Sequence, residues 1–159
     1  MKKELTIRYD VFANADELSD ADRQLFDKAA EARTKAYAPY SDFLVGCALL
    51  LDNGETVTGS NQENAAYPSG LCAERSTIFW THGNFPDQRI LKMFVVGGPR
   101  DGKQDTAVPP CGACRQSILE YERLQSEDIE FFFGSPEGEI VRCGSIRDLV
   151  PFSFGAEFL

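Results

Sequence analysis

Short apolar runs, separated by turn signals, predict the strands of this protein. The run from residue 44 to residue 51 is almost continuously apolar, which indicates a strand buried on both faces. The turn Asp52-Asn53-Gly54 follows it and Thr56-Val57-Thr58 returns, so the two segments predict a hairpin. Further runs predict strands at residues 90–96, 129–133 and 139–143. At the N-terminus, Leu5, Ile7, Tyr9 and Val11 alternate with polar residues, a pattern that fits one more short strand.

Apolar residues at helical spacing predict three helices. Ser19 has an acid three residues later at Asp22, which is typical of a helix N-cap, and the helical pattern continues until Pro39 stops it. We expect a second helix over residues 72–83, ending at a glycine. A third is expected over about residues 111–124.

The order of these elements predicts the fold class. Helices that alternate with strands favour an α/β fold, here a three-layer α/β/α sandwich with a mixed sheet of about five strands. A chain of 159 residues that is 43% hydrophobic fits one domain with an ordinary core. We assign residues 19–159 to that domain and residues 1–18 to an N-terminal extension containing the short strand.

Charge and hydropathy exclude several classes of function. The net charge of -9 argues against a sequence-blind nucleic-acid binder, which needs a basic surface for phosphates. No apolar run approaches the ~18 residues of a membrane span. The first residues lack the apolar stretch and cleavage site of a secretory signal, so we expect a cytoplasmic protein. Five cysteines in a reducing compartment favour metal binding or catalysis over disulfides.

The residues with the most distinctive chemistry are Cys72, Glu74, Cys111 and Cys114. Three thiolates fill three corners of a tetrahedral zinc site, and a catalytic zinc keeps the fourth corner open for water. Residues two apart in a helix point about 200° apart, so Cys72 and Glu74 can address one metal only if Cys72 lies at the helix start. Cys111 and Cys114 are three apart and share a helix face. We therefore expect two helix N-termini, which lower thiol pKa values, to converge on one metal.

Two interpretations of this cysteine set remain open on spacing alone. In one, Cys47 or Cys143 is a fourth ligand that closes a structural zinc site, although both cysteines also suit ordinary core packing. In the other, the site is catalytic, which the combination of Cys-x-Glu with a later Pro-Cys-x-x-Cys favours. Arg75 is either a surface helix residue or a donor to the thiolate sulfurs that softens the negative charge of a three-thiolate zinc.

The chain resembles the small homotetrameric cytidine deaminases, a branch of the zinc-dependent nucleobase deaminases. The resemblance covers about residues 19–158 and implies a cytidine deaminase-like fold, a bound Zn²⁺, a homotetramer and the deamination of cytidine and 2′-deoxycytidine in pyrimidine salvage. It rests on Tyr37-Ala38-Pro39-Tyr40-Ser41-Asp42-Phe43, Val45-Gly46, Asn61-Gln62-Glu63-Asn64, Cys72-Ala73-Glu74-Arg75, Pro110-Cys111-Gly112-Ala113-Cys114-Arg115-Gln116 and Asp148-Leu149-Val150-Pro151-Phe152-Ser153-Phe154-Gly155.

This resemblance implies a role for each matching residue of the metal site. Cys72, Cys111 and Cys114 would bind zinc. Glu74 would take a proton from water, protonate the pyrimidine ring at N3 and later help ammonia leave. The backbone amide of Ala73 would face the pyrimidine carbonyl.

The resemblance also implies substrate-binding residues outside the metal site. Asn61 and Glu63 match a pair that holds the ribose hydroxyls, whereas by pattern alone they are a turn-forming asparagine and a solvated glutamate. Phe43 matches an aromatic residue near the base, and Phe154 matches one that reaches the pyrimidine of a neighbouring subunit. Ordinary core or interface packing is the alternative for both rings.

Two other functions compete with nucleoside deamination. The same reaction on a modified cytosine nucleoside, or on an antibiotic of the blasticidin type, keeps the chemistry and changes the substrate. A structural zinc protein that serves as an interaction module keeps the metal and has no reaction. The chain departs from the family pattern in its N-terminal extension and in a longer segment at residues 100–108, which both lie outside the ligands and the acid.

Overall fold

The sheet of this protein is mixed and has six strands, as seen in a computed structural model that describes all 159 residues. The strand order is β1-β6-β5-β4-β2-β3, with β4 and β5 parallel and every other neighbouring pair antiparallel. The strands are β1 (Tyr9–Phe12), β2 (Phe43–Leu51), β3 (Thr56–Ser60), β4 (Ile90–Pro99), β5 (Glu130–Gly134) and β6 (Ile140–Cys143), and the α-helices are α1 (Asp20–Arg33), α2 (Ala73–Asn84) and α3 (Gly112–Gln125).

Helices cover both faces of the sheet, which confirms the predicted three-layer sandwich. On one face α1 packs on a cluster in which the rings of Phe94 and Phe132 stack at 4.8 Å. On the other face α2 and α3 cover the larger cluster, which includes Leu49, Met93 and Phe131. The close approach of α1 requires a glycine at Gly46, because a Cβ there would overlap the backbone of α1. None of the helices combines the length and the hydrophobicity that a membrane span requires.

The strand count differs from the expected five because the N-terminal alternation forms an edge strand. β1 pairs antiparallel with β6, from Tyr9 opposite Cys143 to Phe12 opposite Ile140. Since β6 has only four residues, the alternating residues before Tyr9 find no partner and stay exposed outside the sheet. The Arg142 guanidinium reinforces the pairing by donating to Asp10 Oδ2 at 2.9 and 2.6 Å.

Helix α1 begins as predicted but ends earlier than predicted. Its N-cap Ser19 accepts a hydrogen bond from the backbone N–H of Asp22, which confirms the predicted cap. The helix ends at Arg33 rather than near Pro39, so the prediction of the C-terminus was wrong. After the helix end, the backbone of Tyr37 forms hydrogen bonds with Asn61 O and Glu63 N.

Arg33 itself stabilises the end of the sheet next to the cavity described below. Its side chain is buried and donates to Leu44 O at 3.2 Å, to Gly98 O at 2.9 Å and to Pro99 O. These bonds join the last residue of α1 to the start of β2 and the end of β4.

Candidate active site

Two of the three clustered cysteines are helix N-caps. Cys72 is the N-cap of α2 and Cys111 is the N-cap of α3, and neither side chain makes a capping hydrogen bond. Serine, threonine, aspartate and asparagine are the usual N-caps because their oxygens bind the free N–H groups. A cysteine at the N-cap does not provide that stabilisation, and its sulfur is therefore free to bind a metal ion. The predicted position of Cys72 at the very start of its helix is confirmed.

The three sulfur atoms have the spacing of a tetrahedral metal site. Cys72 Sγ lies 3.8 Å from Cys111 Sγ, and Cys111 Sγ lies 3.5 Å from Cys114 Sγ. The three sulfurs all lie within 4.8 Å of one another. With Zn–S bonds of about 2.3 Å, tetrahedral geometry places sulfurs about 3.8 Å apart. Cys72, Cys111 and Cys114 therefore fit Zn²⁺ without large movement.

The sulfur cluster contains three cysteines and no fourth. Cys47 lies in β2 and Cys143 in β6, both buried in the hydrophobic core and both outside the sulfur cluster. The interpretation as a closed four-cysteine site is therefore wrong. A fourth tetrahedral position remains for water or substrate, as in catalytic zinc sites.

Hydrogen bonds within the cluster already favour a thiolate. Bonds from Cys114, Arg75 and Cys111 lower the pKa of Cys72 to about 5. The same contact with Cys72, together with burial, raises the pKa of Cys114, so that one thiol keeps its proton while its neighbour is ionised. A cation at the centre of the cluster would favour the ionisation of all three.

Arg75 lies beside these sulfurs, where one of its two sequence interpretations placed it. Its Nη2 is 3.8 Å from Cys72 Sγ. Its Nε is buried and has no hydrogen-bond partner within the chain. The guanidinium thus points towards the sulfur cluster, and Arg75 is not an ordinary exposed residue of the helix surface.

Glu74 is the second residue of α2 and is only 4% exposed. Burial raises the pKa of its carboxyl group, because the charged form loses hydration. A carboxyl whose pKa moves towards neutrality both accepts and returns protons readily. Its place next to the cysteine trio is therefore suited to proton transfer.

A cavity of about 630 Å³ opens in front of this cluster. Pockets for drug-sized ligands have volumes of roughly 300–1,000 Å³, so the space suits a molecule as large as a nucleoside. Seven of the residues predicted for the site lie on its wall: Phe43, Asn61, Glu63, Cys72, Glu74, Arg75 and Cys111. The third cysteine of the cluster, Cys114, is buried and does not line the cavity.

Asn61 is more deeply buried than the turn-forming asparagine that its pattern alone predicts. The residue is 9% exposed, and its Oδ1 accepts from Val45 N at 2.8 Å while its Nδ2 donates to Phe43 O at 3.0 Å. These hydrogen bonds hold the segment around Asn61 against the start of β2. A primary amide has two N–H donors, so one remains for a ligand.

Glu63 is held in place by the turn before β2 and is not a freely solvated glutamate. Its Oε2 accepts from Tyr40 N at 2.9 Å and from Ser41 N at 3.3 Å, and its Oε1 accepts from the Ser41 hydroxyl. The hydrogen bonds from Ser41 and Tyr40 lower the pKa of Glu63, which keeps the carboxylate ionised.

Two of the predicted substrate-binding residues do not line the cavity. Ala73 is fully buried, but as the first residue of α2 it contributes one of the backbone N–H groups that a helix leaves unpaired. Phe154 is 58% exposed and lies outside this chain's own cavity. Gln116 and Arg123 of α3 donate to its carbonyl oxygen at 3.0 and 3.2 Å, which fixes the C-terminal tail on that helix.

Sequence reasoning assigned no role to several other residues of the cavity wall, among them Tyr40, Ser41, Tyr67 and Val108. Ser41 precedes Phe43 by two residues, a spacing that signals a side-chain turn. Tyr40 and Tyr67 meet edge to face at 6.0 Å, and no periodicity pointed to that pair. Val108 comes from the longer segment before Pro110, whose contribution to the cavity depends entirely on tertiary packing.

Comparisons with known proteins agree on one family. A family model described as the cytidine and deoxycytidylate deaminase zinc-binding region matches residues 19–125. The cytidine deaminase of Halalkalibacterium halodurans is 39% identical over 137 residues, which is 86% of this chain and 96% of that protein. The cytidine deaminase of Mycobacterium tuberculosis H37Rv is 37% identical over 131 residues, 82% of this chain and 87% of that protein.

Solved structures give the same result. The crystal structure of cytidine deaminase from Burkholderia pseudomallei superposes with a TM-score of 0.72 at 34% identity, covering 86% of this chain and 100% of that chain. That of cytidine deaminase from Mycobacterium tuberculosis has a TM-score of 0.65 at 33% identity, covering 86% and 98%.

Proposed function

Because the chain belongs to the cytidine and deoxycytidylate deaminase family, we propose that it hydrolyses cytidine and 2′-deoxycytidine to the uridines and ammonia. The observation that carries this function is a single cavity that opens in front of the cysteine trio and is walled by a buried carboxyl group and a polar pair. Zinc bound by Cys72, Cys111 and Cys114 supplies a Lewis acid that makes water acidic enough to act as a nucleophile near neutral pH.

Glu74 moves the protons of the reaction. Water adds at C4 of the cytosine ring, and Glu74 accepts a proton from that water and delivers it to N3. Glu74 then takes up the second proton of the former water and passes it to the exocyclic amine, which leaves as ammonia. The burial that raises the pKa of Glu74 supports this double role, because a group with a pKa nearer neutrality is both a competent base and a competent acid.

The other cavity residues bind and orient the nucleoside. The backbone N–H of Ala73 donates to the pyrimidine carbonyl oxygen, and Phe43 packs beside the base. Asn61 offers its remaining amide hydrogen and Glu63 its carboxylate to the sugar hydroxyls. Arg75 donates to Cys72 Sγ and so offsets part of the negative charge of three thiolates.

A substrate panel with a zinc determination on the same sample tests this function. We expect ultraviolet spectra to show conversion of cytidine and 2′-deoxycytidine, with little conversion of free cytosine or blasticidin S, which lack the sugar that Asn61 and Glu63 would bind. Preferential conversion of blasticidin S would support the antibiotic alternative. Zinc-loaded protein that converts no compound of the panel would refute deamination and favour a structural zinc module.

We also propose a homotetramer in which Phe154 enters the cavity of a neighbouring subunit. Two observations support this proposal. The ring of Phe154 is exposed and lies outside the cavity of its own chain. Many other large apolar side chains are also exposed, among them Trp80, Phe152 and Leu159. Mixing Phe154→Ala subunits with Glu74→Gln subunits should restore activity, because some cavities then combine an intact Glu74 with an intact Phe154. Two inactive parents that stay inactive after subunit exchange would contradict this arrangement.

A cytoplasmic location remains a proposal. It is supported by the three free thiols of the site, which would oxidise outside a reducing compartment. Fractionation of the producing cells with immunodetection of the protein tests it, and recovery in the secreted or membrane fraction would contradict it.

A further inference from the structure

Ser41 connects two walls of the cavity. It lies in the turn before β2, and its hydroxyl accepts a hydrogen bond from Phe43 N at 3.1 Å while donating to Glu63 Oε1. Its own backbone N–H donates to Glu63 Oε2 at 3.3 Å. One side chain therefore fixes both the aromatic wall at Phe43 and the acidic wall at Glu63.

The hydrogen bonds on Glu63 leave a defined place for a ligand. An ionised carboxylate has two oxygens and about four acceptor positions. The backbone N–H groups of Tyr40 and Ser41 occupy Oε2, and the Ser41 hydroxyl takes one position on Oε1. One acceptor position on Oε1 is left, and Glu63 lines the cavity. Without the hydroxyl of Ser41, Oε1 has two free positions and loses the bond that sets its direction.

An ordinary turn serine does not account for this arrangement. A serine hydroxyl that accepts from the N–H two residues later is a common turn feature, and it explains the bond to Phe43. It does not explain the charge-assisted bond to Glu63, which is 22 residues further along the chain. The turn therefore carries a side chain that orients an acid from another segment.

We propose that Ser41 is a positioning residue that directs Glu63 Oε1 towards a sugar hydroxyl and thereby sets the enzyme's preference for nucleosides that carry one. This inference rests on the proposed function, and it assigns to Ser41 a contribution to specificity and none to the chemical step. Loss of the Ser41 hydroxyl should weaken ground-state and transition-state binding of the sugar equally, which raises KM and leaves kcat unchanged.

The test compares cytidine with 2′,3′-dideoxycytidine, which has no hydroxyl at either sugar position, in zinc-loaded protein. For Ser41→Ala we expect KM for cytidine to rise about tenfold, the effect of one charge-assisted hydrogen bond, with kcat within about twofold. KM for the dideoxynucleoside should not change. Ser41→Thr keeps the hydroxyl and should restore KM for cytidine. Ser69→Ala is the matched control, because the hydroxyl of Ser69 is exposed and has no hydrogen-bond partner.

Coupling to Glu63 gives a second measurement. In a Glu63→Gln background, Ser41→Ala should add little, since the residue it positions is already altered. Equal losses on both nucleosides, or full additivity with Glu63→Gln, would contradict the positioning role while leaving deamination intact. A wild type that converts neither nucleoside would instead overturn the proposed function and this inference with it. If Ser41→Ala fails to fold, Ser41→Cys provides a weak donor of similar size for the same comparison.

Discussion

Replacing Glu74 with glutamine is the sharpest perturbation of the proposed chemistry. The change keeps the size of the side chain and removes its ability to accept and return protons. General acid–base catalysis contributes roughly 10²–10⁴ for each proton transfer. Glu74 is assigned at least two transfers, so kcat should fall by about 10⁴ or more, which corresponds to about 5.5 kcal/mol of activation free energy.

Glu74→Gln should leave the fold and the metal intact. Glu74 is 4% exposed and burial raises its pKa, so its charge costs folding free energy at neutral pH. The sign follows from linkage: the folded state binds this proton more tightly, and stability decreases as pH rises above the ordinary value of 4.5. A neutral glutamine removes that loss, and the variant should have a Tm no lower than that of the wild type at neutral pH.

The assay measures initial rates of cytidine conversion and zinc content on the same preparations of wild type and Glu74→Gln. Glu120→Gln is the matched control, because the same chemical change at an exposed position of α3 should have no effect on either quantity. A zinc-loaded Glu74→Gln protein with kcat within about tenfold of the wild type would refute the assignment, since that loss is smaller than even one proton transfer predicts.

Three further predictions follow from other parts of the structure. Arg75→Gln should weaken zinc binding about 10–100-fold in chelator competition, because the guanidinium donates to Cys72 Sγ; unchanged affinity and activity would remove that role. The affinity for uridine, measured by calorimetry, should decrease only below pH 4.5, because hydrogen bonds led by that of Ser41 keep the pKa of Glu63 below this ordinary value; a decrease that begins above it would contradict this. Deletion of residues 1–12 removes an edge strand that contributes no cavity residue, so thermal unfolding should show a Tm lower by about 2–4 °C for each kcal/mol of stability lost while kcat/KM stays constant; a large loss of activity would contradict the separation.

The metal site was predictable because its geometry is set by local rules. Residues two apart cannot address one atom from a helix interior, so Cys72 had to be at a helix start if Glu74 shares its site. The N-cap positions of Cys72 and Cys111 confirm that reasoning. Apolar runs and the hairpin turn likewise predicted five strands, and the N-terminal alternation predicted the short edge strand.

Other features depend on contacts between segments that no spacing reveals. Helix α1 ends at Arg33, whose side chain donates to carbonyl oxygens of β2 and β4, and the backbone N–H of Tyr37 then donates to Asn61 O. Asn61 is a turn-forming asparagine by pattern alone, yet its amide is bound to the backbone of β2. Ser41 likewise contacts Glu63 only in the folded chain, because the two residues are far apart in sequence.

The most direct test of the account is a zinc titration of metal-free protein with cytidine turnover followed at each step. Three thiolates and one open position predict that activity rises linearly with zinc and stops rising at one equivalent per chain, with uridine and ammonia formed in equal amounts. Protein that binds one equivalent of zinc and leaves cytidine unchanged would contradict the account.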